Sequence, residues 1–482
     1  MPPSNKKTAP PRVLFVTPEC APLVKTGGLG DVSAALPHAL RERDIDVRVL
    51  LPGYPAVLAA DRNASELGRL DALGQHVILL ESTLPNGVPL IIAKCAPLYE
   101  RSGGPYQADD GGDWEDNALR FAVLSKVAAI LGTAESGLEW RPDIVHCNDW
   151  PTALAPVYLR AAQKPRAATM MTIHNLAFQG VFDLDEVARL GLPGNALGVE
   201  GLEFYGRGSF LKGGIVYADA VTTVSPTYAR EIQTRELGFG LEGVLGMRRE
   251  SLYGVLNGID TATWNPQQDP HLNANYGVLT LERKVANKRA LKRRFGLAGG
   301  DEVPLLGMVT RLTHQKGIDI VAQAIPQIAG FPAQLVIVGT GDPEMVDLLR
   351  SVQAEHPKSI AAAIEFDEPL AHLVEGGADL FLMPSRFEPC GMNQMYSQRY
   401  GTPPIATSTG GLADTITDGE TGFLIAEASV PALIDGIGRG IATLCDPSRY
   451  KRMQASGMTR DFGWEPSARA YGLIYDRFRS IS

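Results

Sequence analysis

The stretch "RVLFVTPECAPLVKTGGLGDVSAALPHALRERD", residues 12–44, decides the fold. Its first six residues form a short apolar run, as expected of a strand buried on both faces. After a loop, Val32, Ala35, Leu36, Ala39 and Leu40 fall at i, i+3, i+4, i+7 and i+8, the stripe of an amphipathic helix. Asp31 fits as the N-cap of that helix, and Pro37 is expected to kink it by removing one hydrogen bond. Between strand and helix lies Lys25-Thr-Gly-Gly-Leu-Gly-Asp31. A Walker loop places its lysine after the glycines, and a dinucleotide fingerprint needs glycine where Ser33 stands. The loop therefore reads either as a differently built anion site, with Lys25 and the amides of Gly27 and Gly28 facing the ligand, or as a tight strand-to-helix turn.

The same alternation continues outward. "VRVLLP", "HVILLES", "PLIIAKC", "DIVHC", "ATMMTIH" and "AVTTVS" follow in the first half, then "PLLGMVT", "AQLVIVG", "AAIEF", "LFLMP" and "PPIATS" in the second. Short apolar runs separated by amphipathic segments imply β-α-β units and an α/β class. The pattern restarts at "PLLGMVTRLTHQKGIDIVAQAI", which implies two doubly wound domains. The breakers of "YGVLNGIDTATWNP" mark their boundary, with Asn257-Gly258 as the hinge candidate. Two such domains are expected to face each other across a deep cleft, a favoured ligand site.

Composition narrows the class. The 482 residues are 45% hydrophobic and 21% charged, with net charge -9, an ordinary globular balance that argues against nucleic-acid or anionic-membrane partners. The five dispersed cysteines form no CxxC pair and suggest a reducing, cytoplasmic compartment. No apolar run approaches a membrane span, and residues 1–11 read as a disordered tail.

Further polar groups gather at strand ends. Arg311 and Lys316 of "TRLTHQKG" suit a departing diphosphate, or are ordinary surface cations. Glu388 of "SRFEPCGMNQMY" lies on a loop, where it either accepts from sugar hydroxyls or caps the next helix. His146, Asn148, Asp149 and Trp150 end one strand, and His174 and Asn175 end another. Thr409, Gly410 and Gly411 open a third helix with an anion-binding look. Cys390 has no nucleophile signature and reads as a buried thiol. "ERKVANKRALKRRFG" reads as a solvated helix. No metal-ligand spacing or nucleophile elbow is present, so no protein-held metal and no cofactor are expected.

The ordered set "KTGGLGDV", "HCNDW", "TIHNLAFQG", "SFLKGGI", "TTVSPTYAREI", "GVLNGID", "TRLTHQKG", "PSRFEPCGMNQMY" and "TGGLADT" resembles the bacterial glycogen synthase and plant starch synthase family, from about Arg12 to the last helix. The resemblance implies a GT-B fold: an acceptor-side domain of residues 12–256 plus 464–482, and a nucleotide-sugar-binding domain of residues 257–463. It implies transfer of glucose from ADP-glucose to the non-reducing-end 4-hydroxyl of glycogen or a maltooligosaccharide, with retention. By the same resemblance Lys25, His174, Arg311, Lys316 and Glu388 are catalytic. Gly27, Gly28, Asp31, Asp149 and Asn175 bind substrate from the first domain. Asn257, Phe366, Cys390, Gly391, Tyr396, Thr409, Gly410 and Gly411 do so from the second. Phe366 stands where many members stack a tyrosine on adenine. Tyr396 stands where related UDP- or GDP-sugar enzymes carry a ribose-binding glutamate, which favours the glycogen and starch synthase branch. The alternatives are a UDP-glucose enzyme with a small acceptor, an inactive glucan-binding protein, and an NAD dehydrogenase; the missing Gly-x-Gly-x-x-Gly speaks against the last.

Overall fold

The computed structural model describes residues 10–162, 165–365 and 367–479. It divides into two compact units. Unit one takes the described residues up to Val224, then Ala229–Gly258 and the segment from Trp464; unit two takes Ser225–Tyr228 and Ile259–Gly463. Of the expected tail, residues 1–9 lie outside the described residues. Pro11 is already buried, and its carbonyl accepts from the Asp46 N–H at 3.1 Å.

Unit one contains β1 (Arg12–Val16), β2 (Asp46–Pro52), β3 (Ser65–Ala72), β4 (Gln75–Thr83), β5 (Pro89–Lys94), β6 (Ile144–Asn148), β7 (Ala168–Ile173), β8 (Val181–Asp183), β9 (Glu203–Phe204), β10 (Arg207–Ser209), β11 (Ala220–Thr223) and β12 (Leu252–Gly254). Its main sheet has the order β12-β11-β7-β6-β1-β2-β5-β4-β3. From β12 to β5 all neighbours run parallel, and β3 and β4 add an antiparallel edge. Val13 to Val16 are fully buried, which is why β1 reads as an unbroken apolar run. Chain order reverses between β1 and β6, so the carboxyl ends of these strands are the natural ligand position. The last helix, Glu465–Phe478, packs against the helix Gly28–Arg41. Tyr475 hydroxyl meets His146 Nδ1 at 2.7 Å, and Arg43 pairs with Glu465 at 2.8 Å.

The first helix corrects one expectation. It starts at Gly28 with Gly27 as its N-cap, so Asp31 sits inside the first turn instead of capping it. The helix continues through a buried Pro37 to Arg41.

Unit two contains β13 (Leu305–Val309), β14 (Gln334–Val338), β15 (Ile360–Ala363), β16 (Leu380–Met383), β17 (Pro404–Thr407) and β18 (Phe423–Ile425). Its parallel order β15-β14-β13-β16-β17-β18 is the doubly wound 3-2-1-4-5-6 arrangement, with the switch between β13 and β16. The strand expected at "AAIEF" begins two residues earlier, because Ile360–Ala363 pair with Leu335–Val338. The chain must then reach Asp367, whose carboxylate caps the helix Glu368–Gly377 through the Leu370 N–H at 2.9 Å.

The basic stretch is not a solvated helix. Within the helix Lys284–Phe295, Lys284, Lys288 and Lys292 are buried on one face. Lys284 Nζ donates to the carbonyls of Glu375 (3.1 Å) and Gly376 (2.9 Å) and to Thr402 Oγ1 (2.7 Å). Burial pushes its pKa down to about 7. Lys288 pairs with Asp379 at 2.6 Å, and Lys292 donates to the carbonyls of Gly299 and Gly300. Spacing of four puts three ammonium groups on one face, where carbonyl oxygens replace water.

Candidate active site

At the carboxyl end of β1 the organising group is Glu19, which sequence reasoning did not single out. Its carboxylate is almost fully buried. Oε2 accepts the N–H groups of Thr26 (2.5 Å) and Gly27 (3.1 Å), and Oε1 accepts the Tyr106 hydroxyl (2.6 Å). The Gly27 amide, expected to face a phosphate, is thus held by the protein's own carboxylate. What the loop presents is Lys25, exposed and paired with Asp31 at 2.7 Å. The space a Cβ would take at Gly27 is open to 4 Å. This glycine therefore serves no packing need, unlike those of unit two below. The signal that could have found Glu19 is position alone: it follows β1 by three residues at the point where strand order reverses.

The motif "HCNDW" splits into separate tasks. His146 is buried between Tyr475 and Thr172, with Nε2 at 2.6 Å from Thr172 Oγ1, and is structural. Asn148 Nδ2 donates to the Val16 carbonyl at 2.9 Å, which directs Oδ1 to His174 Nε2, also at 2.9 Å. Because Oδ1 can only accept, His174 carries its proton on Nε2 and keeps the Nδ1 lone pair. Burial holds the His174 pKa down at about 3, so the ring is neutral. Asp149 adopts a left-handed backbone, φ 56°, at a cost on the order of 1–3 kcal/mol. Its Oδ1 accepts the backbone N–H groups of His174 (2.7 Å) and Asn175 (3.4 Å). Burial, reinforced by the Glu19 charge, still pushes the Asp149 carboxyl up to about 7. Asn175 closes its own turn, accepting the Ala177 N–H at 3.1 Å. Trp150 joins an aromatic cluster with Tyr106, Phe121, Phe182 and Phe210. Asn257 is buried, and its Oδ1 has no hydrogen-bond partner among the described residues.

In unit two, the loops after β13 and β16 are fastened together. Arg386 makes a two-pronged pair with Asp319 (2.8 and 2.7 Å), and Gln315 donates to the Phe387 carbonyl at 3.2 Å. This brings Lys316 Nζ to 2.5 Å from Glu388 Oε2, which also accepts from Ser385 Oγ at 3.0 Å. Glu388 lies on a loop as expected and is 5% exposed. Arg311 stands exposed on the loop after β13.

Gly410 and Gly411 permit a close backbone approach. Their helix, Gly410–Thr415, is only six residues long, and the Gly411 N–H donates to the carbonyls of Glu388 (3.1 Å) and Pro389 (3.2 Å). A Cβ at Gly410 would lie 1.9 Å from the Glu388 carbonyl oxygen, and one at Gly411 2.0 Å from that of Cys390. With Thr409 as N-cap, these glycines let the turn press against the Glu388 loop. Gly391 takes φ 70° within that loop, and Cys390 is buried there. Tyr396 is buried as well. Its ring stacks at 3.8 Å on Trp264, which stacks at 3.8 Å on His372. Phe366 lies outside the described residues. Among the described residues, no group of three or more His, Cys, Asp or Glu could hold a metal ion.

Each unit thus carries charged and hydrogen-bonding groups at the carboxyl ends of the two strands that flank its switch point. Residues 12–247 match the family model for the starch synthase catalytic domain, and residues 291–456 that for glycosyl transferases group 1. The chain resembles the catalytic domain of starch synthase IV from Arabidopsis thaliana, solved bound to ADP and acarbose. The TM-score is 0.86 at 31% identity, over 98% of this chain and 100% of that one. Sucrose-phosphate synthase from Thermosynechococcus elongatus shares the fold, with TM-score 0.61 at 18% identity over 98% of this chain and 100% of that one. Fold and site define a retaining glycosyltransferase of the GT-B class. The glycogen synthase of Aromatoleum aromaticum is 52% identical over 99% of both chains, and that of Nitrosomonas europaea 51% identical over 98% of both. The chain belongs to the glycogen synthase family, whose reaction adds glucose to an α-1,4-glucan.

Proposed function

We propose that the donor is ADP-glucose and that the glucosyl unit passes to the non-reducing-end 4-hydroxyl of glycogen or a maltooligosaccharide. The observation that carries the residue assignment is the Lys316–Glu388 pair, held at the switch point of a six-stranded Rossmann-type sheet. Loss of ADP develops negative charge on the diphosphate, which Arg311 and Lys316 stabilise. Glu388, fixed by Lys316 and Ser385, accepts from hydroxyls of the donor sugar. In unit one Lys25 meets the donor, Asp149 binds the glucosyl unit, and neutral His174 supports the oxocarbenium-like centre through its Nδ1 lone pair. The acceptor hydroxyl loses its proton to the departing phosphate on the same face, which retains configuration. Trapping a covalent glucosyl-enzyme would overturn this route. Glucose arrives with its own leaving group, so the reaction calls for no redox cofactor.

A cytoplasmic location belongs to this reading. The cysteines form no disulfide, and no described helix is long and apolar enough to cross a membrane. Parallel assays with ADP-glucose and UDP-glucose on glycogen test the donor. A clear ADP-glucose preference is expected, and equal turnover would refute it.

Gly27 gives a second test. Gly27→Ala meets no atom within 4 Å, so its melting temperature should match wild type. The methyl group intrudes where the donor approaches, and kcat/KM for ADP-glucose should fall by about tenfold or more, the ~1.4 kcal/mol of a modest steric misfit. Unchanged kcat/KM would remove this loop from the donor site.

A further inference from the structure

Unit one exposes a cluster of aromatic side chains that the reaction scheme above leaves unused. Three turns converge there. The first follows His174 and carries Phe178, 51% exposed. The second joins β9 to β10 and carries Tyr205, 82% exposed. The third is Gly238-Phe239-Gly240, with Phe239 37% exposed. Gln179 ties the first turn to the third by donating from Nε2 to the Phe239 carbonyl at 2.9 Å. Gly240 ties the third to the second, since a Cβ there would lie 3.0 Å from the Phe204 ring and 3.2 Å from the Tyr205 ring. The Phe204 and Tyr205 rings meet edge to face at 4.8 Å.

The backbone adds a second, independent observation. Tyr205 has φ 49° and Phe239 has φ 50°, each followed by a glycine at φ 82°. Turns of this shape favour asparagine or aspartate before the glycine. A bulky aromatic in the left-handed region is an outlier, and such outliers gather at functional sites. Here the outlying backbone leaves Tyr205 almost wholly in water and Phe239 partly so, so the use of that exposed ring surface lies in what binds to it.

We propose that Phe178, Tyr205 and Phe239 form a platform that holds the acceptor glucan by stacking on its glucose rings. The proposal rests on the glucosyltransferase reading and extends the acceptor site away from the reacting end. An α-1,4-glucan is uncharged and presents apolar C–H faces between hydroxyl-bearing edges, the chemistry that aromatic faces match. Continuity with the reaction site fixes the occupant. Phe178 lies four residues beyond His174 on one loop, at most about 14 Å away along the chain and nearer because its N–H closes a turn on the Asn175 carbonyl at 3.2 Å, so a maltooligosaccharide ending at His174 reaches it.

The test compares maltose with maltoheptaose as acceptors at saturating ADP-glucose. In the Phe178→Ala/Tyr205→Ala double variant, KM for maltoheptaose and glycogen should rise about tenfold or more, the order that aromatic contacts support. KM for maltose and for ADP-glucose should stay at wild-type values. Tyr205→Gly keeps the test sound if the double variant folds poorly. Glycine relieves the left-handed backbone, so this variant should melt no lower than wild type while KM for maltoheptaose rises. An unchanged maltoheptaose KM in a folded variant, or an equal rise for maltose, overturns the platform. Wild-type protein that releases no ADP with any glucan overturns the underlying activity instead.

Discussion

Glu388→Gln is expected to lower kcat by about 10²–10³-fold, the range for loss of one preorganised electrostatic group, while leaving the protein folded. The amide keeps the shape of the side chain and an oxygen that accepts from Lys316 and Ser385, the two groups that hold the carboxylate. Only the negative charge is removed. Truncating either partner is a coarser probe. Lys316→Ala leaves a carboxylate that is 5% exposed with Ser385 as its remaining side-chain donor. An orphaned buried charge costs on the order of 3–5 kcal/mol, so that variant should lose melting temperature as well as turnover. ADP release with glycogen, followed beside a thermal melt, separates the two effects. Turnover near wild type in a folded Glu388→Gln protein would falsify the role given to this loop.

The second large effect concerns Asp149 and pH. Its folded-state carboxyl is pushed up to about 7, against an ordinary 3.8. The ionised fraction in the native protein therefore grows as pH rises through 7, and turnover that needs the carboxylate should grow with it. His174, held down at about 3, stays neutral throughout and contributes no limb near 6.5. Asp149→Asn should cost about 100-fold in kcat at pH 8 and abolish the limb near 7. Stability should move the other way. The unfolded chain ionises near 3.8, so the advantage of the protonated native form is fully present below 3.8 and is lost as pH climbs through 7. Asparagine never ionises, so the variant should melt higher than wild type at pH 8. A limb near 7 that survives the substitution would assign it to another group.

Much of the architecture was legible because buried parallel strands are written as apolar runs. β1, β2, β6, β7, β13, β14 and β16 all carry that mark. Short edge strands such as β12 and β18, three residues each, have too few positions to show a pattern. The site was legible in part. Lys25, Asp149, His174, Lys316 and Glu388 stand at strand ends, where composition changes abruptly. Their partnerships were not legible. Lys316 and Glu388 are 72 residues apart, and nothing local in either loop announces the other. Glu19 looks like any polar residue in a loop until the amides it receives are seen. Gly410 and Gly411 show how one residue type has two physical uses. A glycine pair that opens a helix suggests an anion, and here it also admits a neighbouring backbone. The departure from the solvated-helix expectation has a similar origin, since lysines four apart look the same whether they face water or carbonyl oxygens.

Those inward lysines have a chemical consequence. An amine is nucleophilic only when its lone pair is uncovered and a reagent can reach it. Lys284 Nζ, enclosed by two carbonyls and the Thr402 hydroxyl, satisfies neither condition in the native protein, although its lowered pKa leaves the proton loosely held. Acylating reagents will pass over it until the helix lifts away from Glu375 and Gly376. Once exposed, the amine regains its ordinary pKa of 10.5 because the burial that lowered it is gone, so it reacts as a surface lysine does and labelling follows the opening itself. The helix thus carries its own reporter of local opening in unit two, readable by mass after brief labelling.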